Sequence, residues 1–203
     1  PVDYRDIPNF TRACDLWGKT SIARVNLNLP GVIYRTLDLG AQGIVVPHVN
    51  TAGEAAAAVE AAKHHPMGMR GCYTGRQSLG VDNYELHANA ETMVIVLIED
   101  IVAIENLSEI LKVDHIDVFF VATGDLSQSM GLLGQSKHPD VIDVATSAVN
   151  EILAAGRVAG AVVDDSNIER YLDQGVRFLM ADWDSWVMDG ANAYLKKVAS
   201  ASA

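Results

Sequence analysis

Cysteine, basic residues and long apolar runs are all scarce in this sequence. Cys14 and Cys72 are the only cysteines in 203 residues, too few for a scaffold held by disulfides, so we expect two reduced thiols and a cytoplasmic location. No apolar run reaches the roughly 18 residues of a membrane-spanning helix. The start of the chain lacks the basic segment and apolar core of a signal peptide. These absences argue against a secreted or membrane protein.

The shortage of basic residues also limits the partners. The chain has 15 Lys and Arg against 26 Asp and Glu, a net charge of −11. Such a chain lacks the positive surface that binds nucleic acids or anionic membranes. Its composition, 49% hydrophobic and 20% charged, is ordinary for a globular protein. We therefore expect residues 1–203 to form a single domain around one core.

Short apolar runs alternate with helical stretches along the chain. The predicted strands are 21–27, 43–49, 93–98, 116–122, 158–163 and 176–181. The predicted helices between and after them are 30–39, 55–62, 102–111, 139–155, 168–173 and 186–198. Thr51 and Glu54 have the spacing of a capping box ahead of the second of these helices. Continuous apolar strands that alternate with helices predict a parallel sheet covered on both faces.

Two architectures fit this alternation, a doubly wound sheet and a (β/α)8 TIM barrel. No Gly-x-Gly-x-x-Gly follows the first strand and no phosphate-binding P-loop occurs, so the nucleotide-binding version loses its main support. A typical barrel has about 250 residues. Six strand–helix units, and a chain that opens on Pro1, favour an α/β barrel that lacks its first one or two units.

Charged residues stand where the predicted strands end, which is where barrels carry their chemistry. Glu99 and Asp125 end adjacent strands, so their carboxylates can converge. Such a pair suits a hard divalent ion, Mg²⁺ or Mn²⁺, that keeps positions open for substrate. Arg24 adds a fixed positive charge, and together these groups suit enolate chemistry on a 2-oxo acid. The alternative is that acids at strand ends only cap helices.

The sequence resembles the HpcH/HpaI aldolase family of metal-dependent, class II pyruvate aldolases. The resemblance implies a (β/α)8 barrel, a homo-oligomer that is often a hexamer built as a trimer of dimers, and reversible aldol cleavage of 4-hydroxy-2-oxo acids to pyruvate and an aldehyde. It rests on several ordered segments: Leu37-Asp38-Leu39-Gly40, Val46-Pro47-His48-Val49, Gly68-Met69-Arg70-Gly71, Leu97-Ile98-Glu99 and Gly124-Asp125-Leu126-Ser127.

The resemblance also implies roles for individual residues. Glu99 and Asp125 match the metal ligands, for Mg²⁺ or Mn²⁺ with Co²⁺ as a further candidate. Arg24 matches the arginine that holds the pyruvate keto oxygen. Asp38 matches an aspartate that reaches the site of a neighbouring subunit. The amides of the turn at residues 123–125 (Thr123, Gly124 and Asp125) match the group that receives the substrate carboxylate.

One departure from the family pattern concerns proton transfer. Asp6 stands where the family has its catalytic His, and an ordinary Asp has a pKa of about 3.9 against about 6.5 for His, so it is the weaker base. His48 is a second candidate for the base, against a purely structural role. Arg70 is expected to form a structural ion pair or to bind a distal carboxylate. His64 is expected to be exposed to solvent.

The loss of that His keeps other functions open. An oxaloacetate decarboxylase, or an acyl-CoA lyase related to the citrate lyases, would use the same metal site without needing a base for a substrate hydroxyl. A barrel that has lost catalysis and serves as an assembly subunit is the third alternative. The two carboxylates and Arg24 argue against an inactive barrel, because such a barrel has no need of them.

Overall fold

Six parallel strands form one sheet in the computed structural model, which describes residues 3–72 and 75–201. Each strand pairs with the next along the chain, in the order β1 to β6. The strands are β1 (Ile22–Arg24), β2 (Gly43–Val46), β3 (Met93–Ile98), β4 (Val118–Val121), β5 (Ala159–Val163) and β6 (Phe178–Ala181). This is the parallel α/β sheet that the alternation predicts. It has the form of a partial barrel, and closure to eight strands stays a prediction.

Helices connect these strands and cover the outer face of the sheet. They are α1 (Ile7–Trp17), α2 (Pro30–Asp38), α3 (Ala52–Ala62), α4 (Tyr84–Glu91), α5 (Ile101–Glu105), α6 (Leu107–Ile110), α7 (Thr123–Ser129), α8 (Pro139–Ala154), α9 (Ile168–Gln174) and α10 (Trp183–Ala201). The predicted helix 102–111 is split at Asn106 into α5 and α6. Helix α7 was not predicted, because its Thr, Gly and Ser residues have low intrinsic helix propensity.

The core has two parts, one on each face of the sheet. Along β3, Val94, Val96 and Ile98 pack into the larger cluster, toward the helices. Ile95 and Leu97 point to the opposite face, into a smaller cluster with residues of β4. Successive side chains of a strand alternate between faces, so a strand buried on both sides must be apolar throughout. This explains the uninterrupted apolar run at 93–98.

The predicted helix cap of α3 is present, with one change. The Thr51 hydroxyl accepts a hydrogen bond from the backbone N–H of Glu54 at 3.2 Å. The Glu54 carboxylate accepts from the backbone N–H of Asn50 at 2.7 Å. In a standard capping box that second bond would come from Thr51 itself. The Glu54 carboxylate therefore binds the backbone one residue upstream of the position that the capping-box pattern predicts.

Polar side chains are buried at the end of the sheet where the strands begin. His64 is 3% exposed, so its predicted exposure is wrong. Its Nδ1 lies 3.1 Å from the Arg70 carbonyl oxygen, and burial lowers the pKa of its imidazole, assisted by the charge of Arg70. The buried Arg70 guanidinium donates to Asp38 Oδ1 at 2.7 Å. Arg70 thus forms the structural ion pair that was one of its two expected roles.

The last helix, α10, buries none of its side chains against the rest of the described chain. Trp183, Trp186 and Val187 are all exposed, so they are not part of this chain's core. Within the described residues, no helix combines the length and hydropathy needed to cross a lipid bilayer. Cys14 and Cys72 are both free thiols.

Candidate active site

Four consecutive strands bring four functional side chains to one edge of the sheet. Arg24 ends β1, His48 follows β2, Glu99 follows β3 directly, and Asp125 lies in the first turn of α7 after β4. The strands are parallel and in continuous register, with Arg24 opposite Val45. The carboxyl ends of parallel strands meet at one edge, so the four side chains converge there.

Glu99 is the buried centre of this cluster, at 1% exposure. Its Oε1 accepts a hydrogen bond from the backbone N–H of His48 at 2.9 Å, while Oε2 is buried and finds no hydrogen-bond partner among the described residues. Burial raises the pKa of the Glu99 carboxyl above its ordinary value, and the charge of Asp125 adds to this. The hydrogen bond and charge of His48, together with the charge of Arg24, oppose the rise.

His48 lies beside Glu99 with its ring largely exposed. Its Nδ1 is 3.0 Å from Asp100 Oδ2 and 3.4 Å from Glu99 Oε1. The hydrogen bond to Asp100 raises the pKa of the imidazole above its ordinary value, against the opposing effect of burial. The negative charges of Glu99, Asp100 and Asp125 raise it further. His48 is therefore part of the same electrostatic cluster.

Thr123, Gly124 and Asp125 form the first turn of α7, directly after the end of β4. The first amides of a helix have no partner inside it. A Cβ added at Gly124 would meet no described atom within 4 Å, so the backbone here is open to a ligand. This arrangement suits an anionic group, although the sequence predicted a turn and not the start of a helix.

Arg24 lies on the wall of an open cavity of about 300 Å³. The same cavity is lined by Asp3, Tyr4 and Asn26, which sequence reasoning did not single out. Asp3 precedes every predicted strand, so no strand-end pattern pointed to it. Asn26 lies only two residues beyond Arg24 and could have been found from the position of β1.

Two further predicted residues lie outside this cluster. Asp6 is at the start of α1, where its Oδ2 accepts from the backbone N–H of Asp3 at 3.1 Å. Asp6 is not among the groups that shift the pKa of Glu99 or His48. Asp38 ends α2 at the opposite edge of the sheet, paired with Arg70. Their roles as base and as a neighbour's catalytic group stay predictions.

The donor set at the cluster fits a divalent cation. No group of three or more His, Cys, Asp or Glu side chains within residues 3–72 and 75–201 forms a ready-made metal cage. However, Mg²⁺ and Mn²⁺ often take only one or two carboxylates and complete their coordination with water or substrate. The buried Glu99 Oε2, which lacks a partner, and the nearby Asp125 carboxylate supply such a pair.

Comparison with known proteins identifies the family to which the chain belongs. The chain matches the sequence profile described as HpcH/HpaI aldolase/citrate lyase over residues 5–189. It is 37% identical over 189 residues to the hydroxypyruvate/pyruvate aldolase of Roseobacter denitrificans, covering 91% of this chain and 74% of that protein. It is 34% identical over 200 residues to the 2-dehydro-3,6-dideoxy-6-sulfogluconate aldolase of Pseudomonas putida, covering 96% and 78%.

A solved structure shares the fold of this chain. The crystal structure of the citrate synthase SbnG has a TM-score of 0.87 with this chain at 25% identity, over 99% of this chain and 80% of that one. The profile match spans most of the sequence and includes every residue of the four-strand cluster. The resemblance drawn from the motifs is confirmed. This chain belongs to the HpcH/HpaI aldolase/citrate lyase family.

Proposed function

We propose that this chain catalyses reversible aldol cleavage of a 4-hydroxy-2-oxo acid to pyruvate and an aldehyde, with a divalent metal ion held by Glu99 and Asp125. The observation that carries the proposal is the buried Glu99 carboxylate, whose Oε2 has no hydrogen-bond partner among the described residues, beside Asp125 and Arg24. Such a group is expensive to bury without a ligand. Sequence relatives named as aldolases support the same reaction.

Glu99 and Asp125 would hold Mg²⁺ or Mn²⁺, with Co²⁺ as a further candidate. A divalent ion at this place supplies Lewis-acid stabilisation to an oxygen that gains negative charge. The residues contribute two negative charges and leave positions free for substrate. Relatives in this family of class II aldolases support metal dependence.

Arg24 and the start of α7 orient the oxo acid in this proposal. The Arg24 guanidinium donates to the keto oxygen, which becomes negative as the C3–C4 bond breaks. The amides of residues 123–125 receive the substrate carboxylate, because a helix start carries free N–H groups and partial positive charge. The bond electrons pass to the pyruvate enolate, which takes a proton at C3 to give pyruvate.

The base that removes the 4-hydroxyl proton is assigned to Asp6 first and to His48 second. The family position supports Asp6. Proximity to Glu99 supports His48. Replacing a general base slows such a step by about 10²-fold or more. Asp6→Asn should therefore slow aldol cleavage by this factor. Oxaloacetate decarboxylation needs no such base, so its rate in Asp6→Asn should stay near that of the unmodified protein. Asp38 is assigned to assist proton transfer across a subunit boundary.

Decarboxylation of oxaloacetate is a second candidate for the same site. The Asp6 carboxylate accepts a hydrogen bond from the Asp3 amide. Asp6 is not among the groups that shift the pKa of Glu99 or His48. This arrangement favours chemistry that needs no base for a substrate hydroxyl. Loss of the C4 carboxylate as carbon dioxide leaves the same enolate. Arg24 and the α7 amides would then serve the same roles.

We also propose a homo-oligomer in the cytoplasm. The apolar side chains of α10, which include Trp183 and Trp186, are exposed in the single chain. Exposed apolar patches of this kind mark protein contacts. Two free cysteines suit a reducing compartment. A hexamer built as a trimer of dimers is the assembly that the family favours, and sedimentation equilibrium tests it.

Proton NMR of pyruvate in D₂O tests the function. Methyl protons should exchange for deuterium with protein and Mg²⁺ or Mn²⁺, and exchange should stop without metal or in Glu99→Ala. Glu105→Ala is the matched control, since Glu105 is exposed on α5 and should leave exchange unchanged. Metal-independent exchange would remove the proposed site. Absent exchange with intact oxaloacetate decarboxylation would favour the second candidate, and absence of both would favour an inactive barrel.

A further inference from the structure

His48 holds a backbone conformation that residues with a side chain seldom adopt. Its φ is +53°, in the left-handed region, where a β-carbon crowds the following carbonyl oxygen. Such a residue persists only where its surroundings favour that conformation. His48 follows β2 after a single proline, at the edge where Glu99 is buried. The conformation therefore lies directly at the candidate active site.

The left-handed turn aims the His48 amide at Glu99. The N–H donates to Oε1 at 2.9 Å, across 51 positions of sequence. The other oxygen, Oε2, remains without a hydrogen-bond partner among the described residues. One bond to a fixed backbone amide thus orients the buried carboxylate and leaves one defined oxygen available to a ligand.

The imidazole of His48 is held in turn by Asp100. Nδ1 lies 3.0 Å from Asp100 Oδ2, and a carboxylate only accepts, so Nδ1 carries the proton. Asp100 stands at the N-cap position of α5 but makes no capping hydrogen bond. Ser129 Oγ of α7 accepts from the Ile101 N–H at 2.6 Å instead. The Asp100 carboxylate therefore does not cap α5 and contacts His48 instead.

We propose that His48 is a positioning residue for Glu99: its backbone N–H fixes Oε1, and the Asp100-held imidazole maintains the left-handed turn that aims this N–H. The inference rests on the proposed function, in which Glu99 holds the metal ion. It assigns His48 a structural task toward the metal ligand, distinct from its role as the second candidate for the catalytic base. Partners that orient a metal ligand typically change metal affinity by about 10- to 100-fold when they are lost.

Three replacements of His48 separate this role from proton transfer. Gly and Asn adopt the left-handed conformation readily, whereas β-branched Val does so poorly. All three remove the imidazole and all three keep the backbone N–H. Calorimetric titration of the full chain with Mn²⁺ alone should give dissociation constants within about threefold of the unmodified protein for His48→Gly and His48→Asn. His48→Val should weaken binding by about 10-fold or more. Thermal unfolding of each variant verifies that it is folded.

A base would give a different pattern. If His48 removes a proton, all three variants lose aldol cleavage equally and bind Mn²⁺ like the unmodified protein, and this outcome overturns the proposal. Equal weakening of Mn²⁺ binding in all three also overturns it, because the backbone conformation would then be irrelevant.

Amide hydrogen exchange decides the proposal without any metal. In the metal-free protein the His48 amide should exchange at least about tenfold more slowly than in Glu99→Ala, which lacks the acceptor. Glu105→Ala serves again as the control and should leave that rate unchanged. If the unmodified protein binds no Mn²⁺, the proposed function fails, and a protected His48 amide still supports the positioning role. An amide that exchanges equally fast in both proteins overturns it.

Discussion

Glu99→Gln is expected to stabilise the metal-free protein while removing its response to metal. The Glu99 carboxylate is 1% exposed, and its Oε2 has no partner among the described residues. A buried polar group without a partner costs about 1–3 kcal/mol, and more when the group is charged. Gln keeps the shape and the acceptor for the His48 N–H and removes the buried charge. We therefore expect a gain of about 1 kcal/mol at pH 7, which raises Tm by about 2–4 °C for a chain of this size.

The pH dependence of this gain follows from the direction of the pKa shift. Burial raises the folded-state pKa of Glu99 above its ordinary value of 4.5. The free energy of unfolding of the unmodified protein therefore falls progressively as pH rises from that value through the folded-state pKa. The advantage of Gln should be absent below pH 4.5 and complete once the pH exceeds the raised pKa. Thermal unfolding by circular dichroism across this pH range measures it.

With bound metal, the unmodified protein should become more stable than Glu99→Gln. A ligand at 100 times its dissociation constant stabilises the folded state by about 2.7 kcal/mol, which corresponds to a rise in Tm of about 5–10 °C. Mn²⁺ should raise the Tm of the unmodified protein by this amount and leave Glu99→Gln unchanged. The control is Glu105→Gln, an exposed residue that should behave like the unmodified protein in both arms. A Glu99→Gln variant that is less stable without metal, or that keeps the Mn²⁺ response, would refute the reasoning.

Three further predictions concern the remaining polar contacts. Thr51→Ala removes the cap of α3 and should lower the free energy of unfolding in urea by about 1 kcal/mol, whereas Thr51→Ser should restore it. Asp38→Ala leaves the buried Arg70 unpaired and should cost about 3–5 kcal/mol; a loss below about 1 kcal/mol would show that the pair is not buried in solution. Asp164 has a pKa lowered to about 2 by hydrogen bonds from Lys137 and Ser166, so Lys137→Met should raise this pKa in a carboxyl NMR titration. Any stability that Asp164 contributes is present above its ordinary value of 3.8 and is lost as pH falls toward about 2.

The local pattern of the chain predicted much of the fold. The apolar run at 93–98 matches β3 residue for residue, because a strand buried on both faces leaves an unbroken apolar signal. The Thr51 cap follows from a hydroxyl and a Glu three residues apart. Helix α7 escaped prediction because its residues favour other conformations, and its position after β4 is imposed by packing, with Leu126 fully buried.

The sequence predicted which residues form the candidate site but not the hydrogen bonds between them. Strand ends and motifs pointed to Arg24, Glu99 and Asp125, because a parallel sheet brings such positions to one edge. The hydrogen bond from His48 to Glu99 joins residues 51 positions apart. No local sequence pattern predicts which polar groups will form a hydrogen bond across that separation.

The sequence by itself determined the alternation of strands and helices, the family, and the carboxylates and arginine of the site, because periodicity, strand ends and motifs are local properties. Only the tertiary structure decided which charges are buried and which pairs form. It buried His64, paired Arg70 with Asp38, placed the Asp100 carboxylate beside His48, and left Glu99 Oε2 without a hydrogen-bond partner among the described residues. Burial and pairing depend on packing between distant segments, and in a low-dielectric interior that packing sets the free energy of every charge.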